Sequence, residues 1–311
     1  MHYFGCFSRL RLIFRQFQSG SPTLEMFEAE LFRKRVFILL VLFIFFLPYL
    51  TSGAFAQSNK TGSTVDMLDA GTLPLGLRLV GIQIHLDPGY KTYWREPGDS
   101  GLPPVFDWQG SENVATVDVR WPVPVRFADG SGSSIGYKDS VILPVLVTLR
   151  DTAQRARLKL KIDYGICAEL CVPALGEAEL SLLPNAAATP HREQVEAALG
   201  RVPQSAQLGD GLLPGIIGVE PDEKQTALRV KVARLAGAGE PDLFVEGPKG
   251  WYFGQPVLSG ATDGAELDWL VPVEQKPEDG TLAGLALTLT AVAGAKATET
   301  SIRLDEQGRA R

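Results

Sequence analysis

The chain has 311 residues, 45% of them hydrophobic and 21% charged, with 32 Gly, 21 Pro, 3 Cys and 3 His. That is room for about two domains at roughly 150 residues each, both able to bury a core, which excludes a disulfide-dense miniprotein. A net charge of −6 argues against a general nucleic-acid partner, and three histidines leave little scope for a His-rich metal site.

Residues 1–56 read as a leader. Arg33, Lys34 and Arg35 precede twelve unbroken apolar residues, Val36 to Leu47, and Ala54-Phe55-Ala56 follows before Gln57. A basic segment, a short apolar run and an Ala-x-Ala site are the parts of a secretory signal peptide, with cleavage expected after Ala56. The run is shorter than the roughly 20 residues of a spanning helix; the alternative is an uncleaved N-terminal anchor. Met26 offers a start that would give a leader of conventional length. Cleavage removes six of the 30 Lys/Arg and three of the 36 Asp/Glu, leaving 255 residues with a net charge of −9. It also removes Cys6, so an odd cysteine count becomes one pair, Cys167 and Cys171, in an oxidising compartment. No later apolar run reaches membrane length, so the mature product is expected to have no transmembrane segment.

From residue 57 onward the pattern is β. Alternation is plainest at Leu158, Leu160, Ile162 and Tyr164, with Arg157, Lys159, Lys161 and Asp163 facing the other way. Similar segments are Leu77–Leu86, Val114–Val119, Val141–Leu149, Glu177–Leu183, Leu228–Val232, Glu266–Val273, Leu282–Val292 and Thr298–Leu304. Turn signals at Asp87-Pro88-Gly89, Pro97-Gly98, Asp129-Gly130 and Asp263-Gly264 separate them. The fold class expected is all-β, with two antiparallel sandwich domains. One helix is expected, with Thr189 as N-cap, Pro190 at its first position, His191 to Leu199 as its body and Gly200 at its end. The boundaries read as a first domain over 57–187, a linker with that helix over 188–212, and a second domain over 213–311.

The cysteine pair is the chemically informative feature. Fully extended, residues 167 and 171 would lie roughly 13 Å apart, whereas a disulfide needs Cα atoms within about 7 Å. A bond therefore requires a turn between them, and Gly165 before and Pro173 after fit a strand breaking into one. A loop of about five residues stabilises by roughly 2 kcal/mol in the chain-entropy account, against nearly 5 for about 100 residues. A short loop suits thiol–disulfide exchange, in which attacking and resolving thiols must be neighbours. A structural bridge and a metal site remain the alternatives. Glu169 and Asp163 disfavour a thiolate, and no Lys, Arg or His lies within five residues of Cys167. The sequence neighbourhood thus indicates a reductant that becomes reactive on docking.

Four stretches together resemble one family: His85–Arg95 (HLDPGYKTYWR), Gly98–Trp108 (GDSGLPPVFDW), Ile135–Asp139 before Val141–Pro144, and Tyr164–Pro173 (YGICAELCVP). The chain is similar, over about 75–185, to the N-terminal periplasmic domain of the DsbD disulfide reductases and the related ScsB proteins. The resemblance implies an immunoglobulin-like domain in a protein-disulfide reductase-like oxidoreductase of the periplasm, with a link to cytochrome c biogenesis. Cys167 and Cys171 would be the redox pair, with Cys171 forming the mixed disulfide and no cofactor beyond the redox-active disulfide. Electrons would come from a membrane-embedded protein of the DsbD/CcdA type and pass to or from periplasmic thioredoxin-like proteins. Tyr93 matches an aromatic that flanks the pair, and Asp129 with its Gly-Ser-Gly neighbours falls at the family's cap loop. That cap carries an aromatic residue in the family; here Phe127 or Tyr137 would have to substitute. The chain shows neither the polytopic membrane segment nor the thioredoxin-like domain of the full-length reductases, so as a stand-alone reductase it would draw electrons from another polypeptide.

Trp94, Trp108 and Trp121 suit core and sheet-end packing, and the Gly/Ser run at 130–134 suits a flexible loop. His85 suits a structural place on its strand. With Cys167 and Cys171 it would complete an alternative Cu(I) site of two thiolates and one imidazole. A third alternative is a non-catalytic interaction domain, with Trp251, Tyr252, Phe253 and Trp269 of the second domain as its surface, although those aromatics also suit a core.

Overall fold

The computed structural model describes residues 62–98, 101–129, 132–184, 189–234, 237, 239–262 and 265–311. The leader and its cleavage site lie outside the described residues. The first sandwich contains β1 (Ser63–Thr72), β2 (Arg78–Leu86), β3 (Lys91–Gly98), β4 (Val105–Asp107), β5 (Val114–Val119), β6 (Val125–Asp129), β7 (Gly132–Lys138), β8 (Ser140–Leu149), β9 (Ala156–Cys167) and β10 (Cys171–Leu182). One sheet has the order β1-β2-β8-β5. The other runs β10-β9-β3-β7-β6, with β4 also on β9. The ladders between these strands are antiparallel. The fold is all-β and immunoglobulin-like.

Period-2 alternation sets the inner faces. Leu158, Leu160, Ile162, Tyr164 and Ile166 of β9 are buried and meet Ile82, Ile84, Leu143 and Val145 from the opposite sheet. Each such side chain contributes roughly 1.5–3 kcal/mol on burial. Strand β2 is apolar on both faces over Leu79 to Ile82 for a structural reason. Val80, Ile82 and Ile84 face the core, while Leu79 lies under helix α1 (Arg192–Leu199), packed with Leu68, Ala70 and Val195. Gly81 permits that approach, because a Cβ there would meet Val195 Cγ2 and Ile142 Cγ2 at 2.9 Å.

The helix is therefore docked on the first sandwich, not suspended between domains. Its N-terminus also differs from expectation. His191 occupies the N-cap without a side-chain cap bond, and the Thr189 hydroxyl donates to the Asp69 carbonyl of β1 instead. The helix is thus tied to its sandwich at the cost of a conventional cap. Gly200 ends it as expected, its N–H bonding to the Glu196 carbonyl.

The second sandwich contains β11 (Gln204–Ala206), β12 (Gly215–Pro221), β13 (Ala227–Ala233), β14 (Pro241–Glu246), β15 (Tyr252–Phe253), β16 (Val257–Thr262), β17 (Glu266–Gln275), β18 (Ala286–Ala293) and β19 (Lys296–Arg303). Its sheets have the orders β11-β19-β18-β14 and β12-β13-β17-β15, with β16 also on β17. Strand β11, within the segment expected as linker, pairs in parallel with β19. Leu228, Val230 and Val232 pack against Leu287, Leu289 and Ala291 in its core, together with Trp251 and Trp269. Of the aromatics considered for a docking surface, only Tyr252 is exposed.

The two sandwiches share a packed joint. Phe244 of β14 and Val292 of β18 are buried in the first core, where Phe244 meets Trp94 edge-on at 5.5 Å. Arg95 of β3 forms a two-pronged pair with Glu246, at 2.9 and 2.6 Å, and also pairs with Glu299. Arg126 of β6 bonds Asp242 at 3.0 Å and lies 4.5 Å over the Phe244 ring. Burial works against the Arg95 charge, but its bonds to Glu246 and Glu299 outweigh that and hold it more firmly protonated than an ordinary arginine.

Candidate redox site on the outer face of β9 and β10

Strands β9 and β10 form one long hairpin joined by Ala168-Glu169-Leu170. Cys167 ends one strand, Cys171 begins the next, and the two are register partners. The turn brings their Cα atoms to 4.0 Å, and they form a disulfide. Their environments differ. Cys167 is 4% exposed, whereas Cys171 is open to solvent. Cys171 is thus the half of the disulfide presented to solvent, and Cys167 is its buried cross-strand partner.

Tyr93 completes the site. Its hydroxyl donates to the Cys171 sulfur at 3.0 Å. The ring faces outward from the sheet yet is 1% exposed, and glycines explain how. A Cβ on Gly165 would meet the Tyr93 ring at 2.7 Å, and one on Gly101 would meet Tyr93 Cδ1 at 2.7 Å. The ring fills the slot these residues leave empty, with Leu102 beside it. Strand β3 pairs with β9 only at Lys91–Cys167 and Thr92–Ile166, after which β4 takes its place. The Thr92 hydroxyl bonds the Gly165 carbonyl at 2.8 Å where the ladder ends.

The remaining sequence-derived residues separate. Phe127 is buried, with the Lys91 and Lys138 ammonium groups each 5.1 Å from its ring centroid. Because Phe127 pairs with Ser134, and Gly136 with Tyr93, alternation puts Phe127 on the same face as Tyr93 and Cys167. Tyr137 faces the other way. It is part of the core, its hydroxyl bonds the Pro122 carbonyl at 2.7 Å, and burial pushes its pKa up. It does not cap the disulfide. Asp129 lies in the β6–β7 hairpin opposite Gly132; its side chain is outside the described residues, as are residues 130 and 131. His85 is exposed on β2, in the other sheet. The alternative copper set is not assembled: among the described residues no three His, Cys, Asp or Glu side chains are grouped to hold a metal.

Two features escaped the reading of local sequence. Lys91, 76 positions before Cys167 in the chain, is its direct cross-strand neighbour, and Lys138 is next in the same row. The absence of a nearby cation in sequence does not hold in space. Alternation from Tyr93 would have found Lys91, since residues two apart share a face. The second feature is an apolar margin. Leu170 at the hairpin tip, Leu102, and the register row of Val105, Asp163 and Leu175 leave large exposed hydrophobic groups on and beside this face.

An exposed cysteine bonded to a buried one, at the mouth of a hairpin in an immunoglobulin-like sandwich, is an arrangement that suits thiol–disulfide interchange. Residues 70–183 match the family model described as thiol:disulfide interchange protein DsbD, N-terminal. Residues 201–307 match a domain of unknown function (DUF8393). Among solved structures, the chain is similar to the N-terminal periplasmic domain of ScsB from Proteus mirabilis, at 24% identity and a TM-score of 0.59. That likeness covers 78% of this chain and 92% of the other, and so extends over both sandwiches as a likeness of fold. No curated protein matches the chain. Among the described residues no helix is long and apolar enough to cross a membrane.

Proposed function

We propose that the chain relays reducing equivalents in the periplasm through Cys167 and Cys171, exchanging its disulfide with thioredoxin-like partners and with a membrane-embedded electron carrier of the DsbD type. The observation that carries this reading is the asymmetry of the pair. Cys171 is exposed and Cys167 sheltered directly behind it, as a two-step exchange requires. Cys171 is the sulfur that forms the mixed disulfide, and Cys167 resolves it. Leu102, Val105, Leu170 and Leu175 supply apolar contact for a docked partner. The periplasmic location rests on the family and on the ScsB likeness.

The test is capture. The Cys167→Ser variant, reacted with an oxidised periplasmic thioredoxin-like protein, should accumulate a mixed disulfide through Cys171, seen as a reducible adduct on a gel. Cys171→Ser should capture little. Capture by neither variant would overturn the reading.

A further inference from the structure

Directly opposed residues in an antiparallel pair have Cβ atoms about 5 Å apart on the same face. Lys91 and Cys167 stand in that relation, and Lys138 follows Lys91 in the same row. In the disulfide-bonded form the two ammonium groups lie over the Phe127 ring, each at 5.1 Å. Both cations therefore stand on the face that carries Cys167, where an anion on the adjacent strand would be attracted to them. Reduction of the disulfide creates such an anion at Cys167. The four-carbon stem of Lys91 spans one strand spacing, so its ammonium can meet the Cys167 sulfur without backbone movement.

We propose that Lys91 holds Cys167 as a thiolate once the disulfide opens, and so sets which sulfur leaves and which is exchanged with partners. This deepens the exchange reading above and rests on it for its use. In the forward sense, the Cys171 thiolate attacks a partner disulfide. Its sulfur bonds one partner sulfur, and the other departs as a thiolate that takes a proton from water. The Cys167 thiolate then attacks Cys171, the intramolecular disulfide forms, and the second partner sulfur leaves as a thiolate. Two electrons pass to the partner. In reverse, a partner thiolate attacks Cys171 and Cys167 is the leaving group, which departs faster the lower its pKa. One cation beside Cys167 therefore serves both directions.

The opposing charges are identifiable. Among them, Glu169 lies in the loop between the cysteines, Asp163 lies on the same face further along β9, Asp87 is in the β2–β3 turn, Asp139 follows Lys138, and Asp129 stands two positions beyond Phe127 on β6. All disfavour the thiolate, and Tyr93 donates to the other sulfur. Lys91 must outweigh these carboxylates from the adjacent strand, with Lys138 one strand further out.

The full chain carrying Cys171→Ser isolates Cys167, whose ionisation is read from the pH dependence of alkylation by iodoacetamide. Adding Lys91→Met should raise the Cys167 pKa by about one unit, a tenfold fall in thiolate below that pKa. Lys91→Arg should leave it close to the parent, and Lys138→Met should shift it less. An unchanged pKa in Lys91→Met overturns the proposal. A second measurement uses thionitrobenzoate attached to Cys171 in the chain with both cysteines. Lys91→Met should slow its release about tenfold at pH values below the Cys167 pKa and not at high pH, where Cys167 is ionised in any case. Slowing that is equal at every pH would mark Lys91 as structural and also overturn the proposal. Neither readout involves a protein partner, so failed capture in the earlier test and failure here are distinguishable.

Discussion

The Tyr93 hydroxyl points its proton at the Cys171 sulfur from 3.0 Å, across 78 residues of sequence. On reduction, that sulfur becomes the acceptor of a charge-assisted bond, which is stronger than a neutral one. Tyr93→Phe keeps the ring in its slot and removes only the donor. The expected outcome is a native fold with a raised Cys171 pKa and about tenfold slower alkylation near neutral pH, since such a bond is worth about 1.5–3 kcal/mol. Alkylation rates against pH, compared in the Cys167→Ser background, check it.

The slot itself depends on Gly165. A Cβ there would lie 2.7 Å from the Tyr93 ring and 2.9 Å from Leu102 Cβ. Real Cβ contacts are not this short, so Gly165→Ala must push the ring outward and strain the β3–β9 junction. A loss of about 1–3 kcal/mol in denaturant unfolding is expected, as for other overpacked sites. Tyr93 fluorescence and its protection from solvent quenchers should change with it, whereas Tyr93→Phe should leave stability within about 1 kcal/mol of the parent.

The hairpin of β9 and β10 shows how far sequence could go. Alternation at Leu158, Leu160, Ile162 and Tyr164 placed one face in the core because strand geometry is local. The required turn between the cysteines followed from bond geometry alone. Resemblance supplied Tyr93, and the structure brings it to Cys171. Alternation from Tyr93 puts Lys91 on the same face, but its pairing with Cys167 was not recoverable, because register between strands is decided by packing of the whole sheet. Tyr137 was misplaced for the same reason, since a one-residue difference in parity separates the outer face from the core. Strand β1 was not marked, because STVDMLDAGT mixes small and polar residues, and its register with β2 supplies the structure. The joint between the sandwiches had no local signal either. Phe244, Arg95 and Glu299 are ordinary in their own segments and meaningful only where three strands converge.

That joint yields its own expectation. Phe244 is 1% exposed and packs with the core of the first sandwich although it belongs to the second. Phe244→Ala should cost about 3–5 kcal/mol, the range for a fully buried aromatic. Because the lost contact links the sandwiches, calorimetry should show the unfolding transition broaden or split relative to the parent. A small and uniform shift of one sharp transition would mean that the joint carries little of the coupling.

Glu96 adds a pH dependence to the same region. Burial raises its pKa above the ordinary glutamate value; the Glu246 charge adds to this, and a backbone bond from Gly98 partly opposes it. A carboxyl with a raised folded-state pKa gives up stability as pH climbs, because the unfolded chain ionises first. Below the ordinary glutamate pKa both states are protonated and nothing is lost. Between that value and the raised one, stability falls, and above it the deficit is constant. Glu96→Gln removes the ionisation while keeping the shape, so the variant should match the parent near pH 3.5 and exceed it in stability at pH 7. Paired urea titrations at the two pH values read the difference directly, because the other carboxylates titrate in both proteins. Adding Glu246→Gln to both should shrink the advantage, since Glu246 supplies part of the repulsion. An advantage of the same size at both pH values would assign the effect to packing and not to charge.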